Sequence, residues 1–281
     1  MRKIGIAMQL IDTHTHIYGE EFDGDRHEVF ARAKEAGVEA FIFPAIDRQT
    51  NQAQFALTRE HKECYSLVGL HPTSVNDNPH WREELAEEER LLEGCNGAGA
   101  DSHPIGSAER PVERFWGVGE VGLDFYWSSD FKEEQTEAFR RQVELAVRYN
   151  LPLVIHTRNA WDEMLTLLEE YKGQAKGILH AFTESVEVYR RIERLGGFLV
   201  GIGGVSTYKK SALLESIPEI PLSAMVLETD SPYLSPVPFR GKRNEPKNLV
   251  YICEQIARLK GCTPEEVAEA TTHNARTLFG I

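Results

Sequence analysis

His14 and His16 stand one residue apart in the stretch LIDTHTHI, directly after the short apolar run Met8-Gln9-Leu10-Ile11 and the carboxylate Asp12. Side chains two apart in a strand share a face. His-x-His therefore presents two imidazole nitrogens side by side, which suits a metal ion. On this motif alone, two polar residues capping a strand is an equally open reading. The same setting recurs along the chain. Glu120 lies in GVGEVGLD, His156 in LVIHTR, His180 in GILHAF and Asp230 in LETDSP, each at the C-terminal end of an apolar run. A single histidine after a strand is most often a hydrogen-bonded loop residue, and an Asp before Ser-Pro is an ordinary turn residue. A carboxylate such as Glu120 is costly to bury unpaired, and six such placements together argue against coincidence. Four histidines and two carboxylates are too many for one tetrahedral zinc. They suit two divalent ions bridged by Glu120, and the donor types admit Zn, Mn or Mg.

These residues need a scaffold that brings strand ends together. Continuous apolar runs at 8–13, 39–43, 65–70, 116–120, 151–155, 176–180, 196–201 and 224–229 read as parallel strands buried on both faces. Amphipathic stretches at about 26–36, 50–61, 80–92, 132–149, 160–171, 184–194, 207–215 and 245–260 read as helices between them, with Phe139, Val143, Ala146 and Val147 marking the clearest apolar face. Eight alternations predict an α/β fold, a (β/α)8 TIM barrel in a single domain, whose sites are built at the C-terminal ends of its strands. A doubly wound open sheet is the alternative, weakened because no G-x-G-x-x-G follows a strand. Residues 1–7 read as an N-terminal extension, with Met8 as an alternative start, and 8–281 as the barrel domain. Residues 94–113, rich in Gly, Ser and Pro, read as a surface-loop insertion before the fourth strand. The run EELAEEER before it reads as a solvated helix face.

Composition narrows the class further. The net charge of −13 argues against broad nucleic-acid binding, though not against a locally basic, metal-loaded site. No run is long enough to span a membrane, and no secretory signal is visible. Cys64, Cys95, Cys253 and Cys262 are scattered without Cys-x-x-Cys spacing, as expected of a reducing cytoplasm. Nothing demands more than a monomer.

With these residues in place, the chain resembles the TatD family of metal-dependent deoxyribonucleases, among the amidohydrolase-like barrels. The resemblance is carried by DTHTH at 12–16, GLHP at 69–72, GEVGLDFY at 119–126, IHTR at 155–158, HAF at 180–182, GIGG at 201–204, ETDSPYLSPVPFRGKRNEP at 228–246 and NARTLFG at 274–280. It implies metal positions at His14, His16, Glu120, His156, His180 and Asp230, and hydrolysis of DNA phosphodiesters, typically from an end. The 94–113 insertion departs from the family's shorter connection and is expected far from the chemistry.

The expected mechanism has two metal ions activating a water, with Asp230 accepting its proton. His71, Arg158 and Arg240 are the expected phosphate contacts, Arg240 lying in a loop with Lys242 and Arg243. A merely solvated basic loop is the alternative, disfavoured by its place just after Asp230 in an acidic chain. Tyr126, Phe182 and Tyr233 serve either as base-stacking platforms or as core. Glu245 either caps the next helix or orients an arginine. Thr263-Pro264-Glu265-Glu266 opens a structural helix with a capping box, and His273 in that segment reads as a helix-end hydrogen-bonder. Rival readings are a lactonase or phosphotriesterase-like enzyme and an aminoacyl-tRNA deacylase. Many dinuclear members of the first kind bridge their metals with a carboxylated lysine where this chain has Glu120. A non-catalytic scaffold is disfavoured by the complete ligand set.

Overall fold

The computed structural model describes residues 8–281, so the expected extension at 1–7 lies outside the described residues. Eight strands are present among the described residues: β1 Leu10–Asp12, β2 Val38–Phe43, β3 Cys64–Ser66, β4 Val118–Asp124, β5 Leu153–Arg158, β6 Gly177–Leu179, β7 Phe198–Ile202 and β8 Met225–Leu227. They lie in two sheets, ordered β1-β2-β3 and β4-β5-β6-β7-β8. Registers such as Leu10↔Val38, Val118↔Leu153 and Val200↔Met225 are parallel. Parallel strands covered on both faces carry apolar residues throughout, and every residue of β1, β4, β6 and β8 is buried. The longer helices among the described residues are α1 Arg26–Glu35, α2 Arg48–Glu60, α4 Trp81–Asn96, α5 Lys132–Arg148, α6 Trp161–Glu169, α7 Val186–Leu195, α9 Leu249–Lys260 and α10 Pro264–Phe279; Pro72–Val75 (α3) and Leu213–Ser216 (α8) are single turns. No helix among the described residues is long and apolar enough to cross a membrane.

The chain gathers into two compact units. The first comprises residues 8–41 with Ala181–Tyr189 and Val200–Thr277; the second comprises Ile42–His180, Arg190–Leu199 and Leu278–Ile281. Within the first, the segment after β1 runs beside the segment after β8. Thr13 N–H donates to Leu227 O at 3.0 Å, Asp230 N–H to His14 O at 2.9 Å and His16 N–H to Ser231 O at 2.8 Å. Thr263 and Glu266 exchange side-chain-to-backbone bonds at the start of α10, the capping box read from the sequence. Within the second unit, Val68 bridges Val118, and Glu120 N–H donates to Ala45 O at 2.9 Å. Two buried glutamines tie α5 to loop and strand backbone. Gln142 accepts from Leu70 N–H and donates to Leu70 O, while Gln135 does the same for Asp124.

Three expectations need correction. β4 and β5 run past their expected ends at 120 and 155, because the ladder continues through Gly122↔His156 and Asp124↔Arg158. Glu120 and His156 therefore lie within strands rather than at their ends. The helix expected at 207–215 is reduced to a 3-10 turn, Gly204–Thr207, and α8, with Ser211 capping Leu213 N–H. The loop expected from residue 94 starts later, since α4 continues to Asn96. A Cβ on Gly94 would sit 1.9 Å from Glu109 O, so glycine here lets the insertion pack directly on the helix. The insertion is stitched to that outer layer by Asn96 and Phe115, by Cys95 with Val112 O, and by Arg59 with Pro111 O.

Candidate metal centre

His14, His16 and Asp230 meet in the first unit. Their separation of more than 200 positions is bridged by the backbone pairing of residues 13–16 with 227–231. His14 Nε2 lies 3.1 Å from His16 Nε2, and each is 3.6 Å from Asp230 Oδ1. The His16 ring is held by its other nitrogen, Nδ1, 2.8 Å from the Tyr18 hydroxyl. Asp230 takes a left-handed backbone conformation (φ 56°), which Asp tolerates better than most residues. Asp12, beneath the pair, accepts from Thr229 N–H at 2.9 Å and from the Thr229 hydroxyl at 2.5 Å. Burial pushes its carboxyl up to about 8 despite these bonds.

Glu120, His156 and His180 meet in the second unit. Glu120 Oε1 lies 2.8 Å from His180 Nε2, 3.0 Å from His156 Nδ1 and 3.3 Å from His71 Nε2. Burial lowers the His71 pKa more than Glu120 raises it, so the ring is neutral. Its Nδ1 accepts Thr73 N–H at 3.2 Å, which leaves the proton on Nε2, facing Glu120. His71 is thus a donor, suited to a carboxylate or phosphate oxygen.

Asp124 is a residue that the sequence reading missed. Its Oδ2 lies 2.9 Å from His156 Nε2. Burial raises the Asp124 pKa, but the bond to His156 outweighs it and holds the carboxyl below its usual value. An ionised Asp124 accepts only, so His156 Nε2 donates. Burial also pulls the His156 pKa down, and Asp124 and Glu120 together hold it above the usual value. The signal was in the sequence: Glu120 and Asp124 are four apart on one strand and share a face.

The remaining candidates are resolved individually. Arg158 lies over Tyr126, 3.6 Å from guanidinium carbon to ring centroid, and Arg240 lies 4.1 Å over Tyr208. Tyr126 and Tyr233 are about half exposed, whereas Phe182 is fully buried core. Arg243 is committed elsewhere, donating to Asp25 at 2.8 and 2.7 Å and to Glu21 O. Arg243, with Arg32, holds the Asp25 carboxyl down to about 2. Glu245 orients an arginine, accepting from Arg32 Nε at 2.8 Å. His273 is exposed within α10 rather than at its end.

Comparison with known proteins decides the family. The family described as TatD related DNase matches residues 11–280. The chain belongs to that family. It is 37% identical over 278 residues to the "uncharacterized metal-dependent hydrolase YabD" of Bacillus subtilis, covering 97% of this chain and 99% of that one. It is 32% identical to the "3'-5' ssDNA/RNA exonuclease TatD" of Shigella flexneri, covering 97% and 99%. The crystal structure of YjjV, a TatD homologue from Escherichia coli, superposes with a TM-score of 0.85 at 29% identity, covering 98% of this chain and all of that one. This TatD-family chain is a hydrolase, and its fold class is the expected α/β one, a (β/α)8 barrel.

Both trios offer two imidazoles and a carboxylate, the donor set of a divalent-cation site. Asp124→Asn is expected to weaken divalent-metal affinity by about 10- to 100-fold, as removal of an orienting partner does. Calorimetric titration with Mn2+ checks this. Unchanged affinity would mean that Asp124 serves only the turn, where its Oδ1 accepts Tyr126 N–H at 3.0 Å.

Proposed function

We propose that this TatD-family chain is a divalent-metal-dependent phosphodiesterase that removes nucleotides from an end of DNA. Residues 8–281 act as one hydrolase domain, as a cytoplasmic monomer. The observation that carries the reading is the arrangement around Glu120. Glu120 Oε1 stands 2.8 Å from His180 Nε2 and 3.0 Å from His156 Nδ1, while Asp124 holds the other His156 nitrogen at 2.9 Å, so one buried carboxylate and two imidazole nitrogens converge on one point. Imidazole nitrogens and a carboxylate oxygen gathered this closely are the donor set that a divalent cation takes. Ions of the Zn, Mn or Mg type would suit the donors: His14, His16 and Asp230 would hold one, and Glu120, His156 and His180 another. When bound, they lower the pKa of a water and offset charge on the phosphate.

The chain's own residues do the rest. Asp230 accepts the proton of the attacking water. His71 Nε2–H and the guanidinium edges of Arg158 and Arg240 donate to phosphate oxygens, the two guanidiniums resting on the ring faces of Tyr126 and Tyr208. The exposed rings of Tyr126 and Tyr233 offer faces to unstacked bases.

The test is an assay on end-labelled single-stranded DNA across Mg2+, Mn2+ and Zn2+, with EDTA as control. Metal-dependent release of nucleotides is expected. Asp230→Asn is expected to lower kcat by about 10²–10⁴, the range of a lost general base. Hydrolysis of a lactone, phosphotriester or aminoacyl ester, with none of DNA, would overturn the assignment.

A further inference from the structure

The chain carries 44 Asp and Glu against 31 Lys and Arg, yet two segments of the first unit contain no carboxylate at all. Residues 202–214 hold Lys209 and Lys210, and residues 231–244 hold Arg240, Lys242 and Arg243. The two segments are stitched together. The Tyr208 hydroxyl donates to Ser235 O at 2.9 Å, and Val237 N–H donates to Thr207 Oγ1 at 2.8 Å. Arg240 covers the Tyr208 ring, and the Ser235 hydroxyl donates to Lys242 O at 2.5 Å. Lys209, Lys210, Arg240 and Lys242 are therefore gathered at one junction, and all four are exposed. Arg243 is neutralised by Asp25; the other four have no carboxylate partner among the described residues.

Such a cluster contributes nothing to the fold through ion pairing, and in an acidic protein it stands out as a local reversal of field. It sits on the same loop as Asp230, which precedes Arg240 by ten residues. Between them Tyr233, Leu234 and Val237 are 54%, 38% and 45% exposed. Cations beside exposed aromatic and aliphatic faces match a polyphosphate chain with unstacked bases better than they match a folded anionic protein.

We propose that this junction is an exosite for the backbone of single-stranded nucleic acid, holding the strand beyond the nucleotide being cleaved; the proposal rests on the phosphodiesterase reading above. Turnover efficiency then rises with strand length, and the gain depends on Lys209, Lys210 and Lys242.

The experiment compares kcat/KM on a dinucleotide and on a 20-nucleotide single strand, for the wild type and for Lys209→Gln/Lys210→Gln/Lys242→Gln. The long substrate is expected to be favoured by at least about tenfold in the wild type, and the ratio to fall near one in the triple variant. Anisotropy of a labelled strand in EDTA reads binding without cleavage, and its salt slope is expected to drop by about two, at roughly 0.7 for each phosphate no longer neutralised. A length ratio that survives the triple substitution overturns the exosite and leaves the phosphodiesterase reading standing. If the wild type cleaves neither substrate with any metal, that reading fails, and equal strand binding by wild type and variant overturns the exosite separately. Equal competition by polyglutamate of matched charge also overturns the nucleic-acid assignment.

Discussion

Glu120→Ala is expected to abolish hydrolysis, lowering kcat/KM by about a thousandfold or more, since a bound cation supplies several kcal/mol of charge stabilisation and each 1.36 kcal/mol is tenfold in rate. Glu120 is 4% exposed, and one of its oxygens faces three imidazoles within 3.3 Å. Its removal leaves His156 and His180 without the carboxylate of their cluster. Thermal unfolding separates a chemical effect from collapse: in EDTA the variant is expected to melt cooperatively, and Mn2+ is expected to raise its midpoint less than it raises the wild type's. Glu120→Gln, which keeps the shape and removes the charge, is expected to be as inactive as Glu120→Ala. Full turnover by either variant would strip Glu120 of its role.

Stability should respond most to a residue far from this chemistry in function. Glu88, on α4, is 2% exposed and takes one hydrogen bond, from Asn51 Nδ2 at 2.7 Å. Its Oε2 and the Asn51 Oδ1 are buried without partners. Burial, with the nearby charges of Glu87, Glu84 and Asp47, pushes the Glu88 carboxyl from 4.5 up to about 8. Below pH 4.5 both folded and unfolded chains hold the proton. Between 4.5 and 8 only the folded chain holds it, so stability falls as pH rises, and the loss is complete once the folded carboxyl ionises. A shift of that size amounts to about 5 kcal/mol at most, at 1.36 kcal/mol per pH unit. Glu88→Gln is therefore expected to match the wild type near pH 4 and to exceed it by several kcal/mol, of order 3–5, at pH 9. A glutamine N–H also supplies the donor that Asn51 Oδ1 lacks. Denaturant midpoints of both proteins from pH 4 to 9 check this, and parallel curves would overturn it.

Strand succession, helix faces, the family and the residue types available to a metal are all legible along the chain, because these are local. Apolar runs mark buried parallel strands, and His-x-His fixes a shared face whatever else the chain does. His14, His16 and Asp230 were legible one by one, since each follows such a run. Which polar groups meet is settled by long-range packing alone. Asp124 clamps His156, 32 positions away; Arg243, a loop neighbour of Arg240, is taken by Asp25, 218 positions away. Phe182 went to the core while Tyr126 stayed exposed under Arg158, although both follow site residues in the sequence. Glu88 sits in a run that reads as solvated, and its burial depends on α4 facing Asn51 of α2. Each of these outcomes depends on long-range packing that competes for the same few donors and acceptors, and one-dimensional periodicity carries no information about who wins that competition.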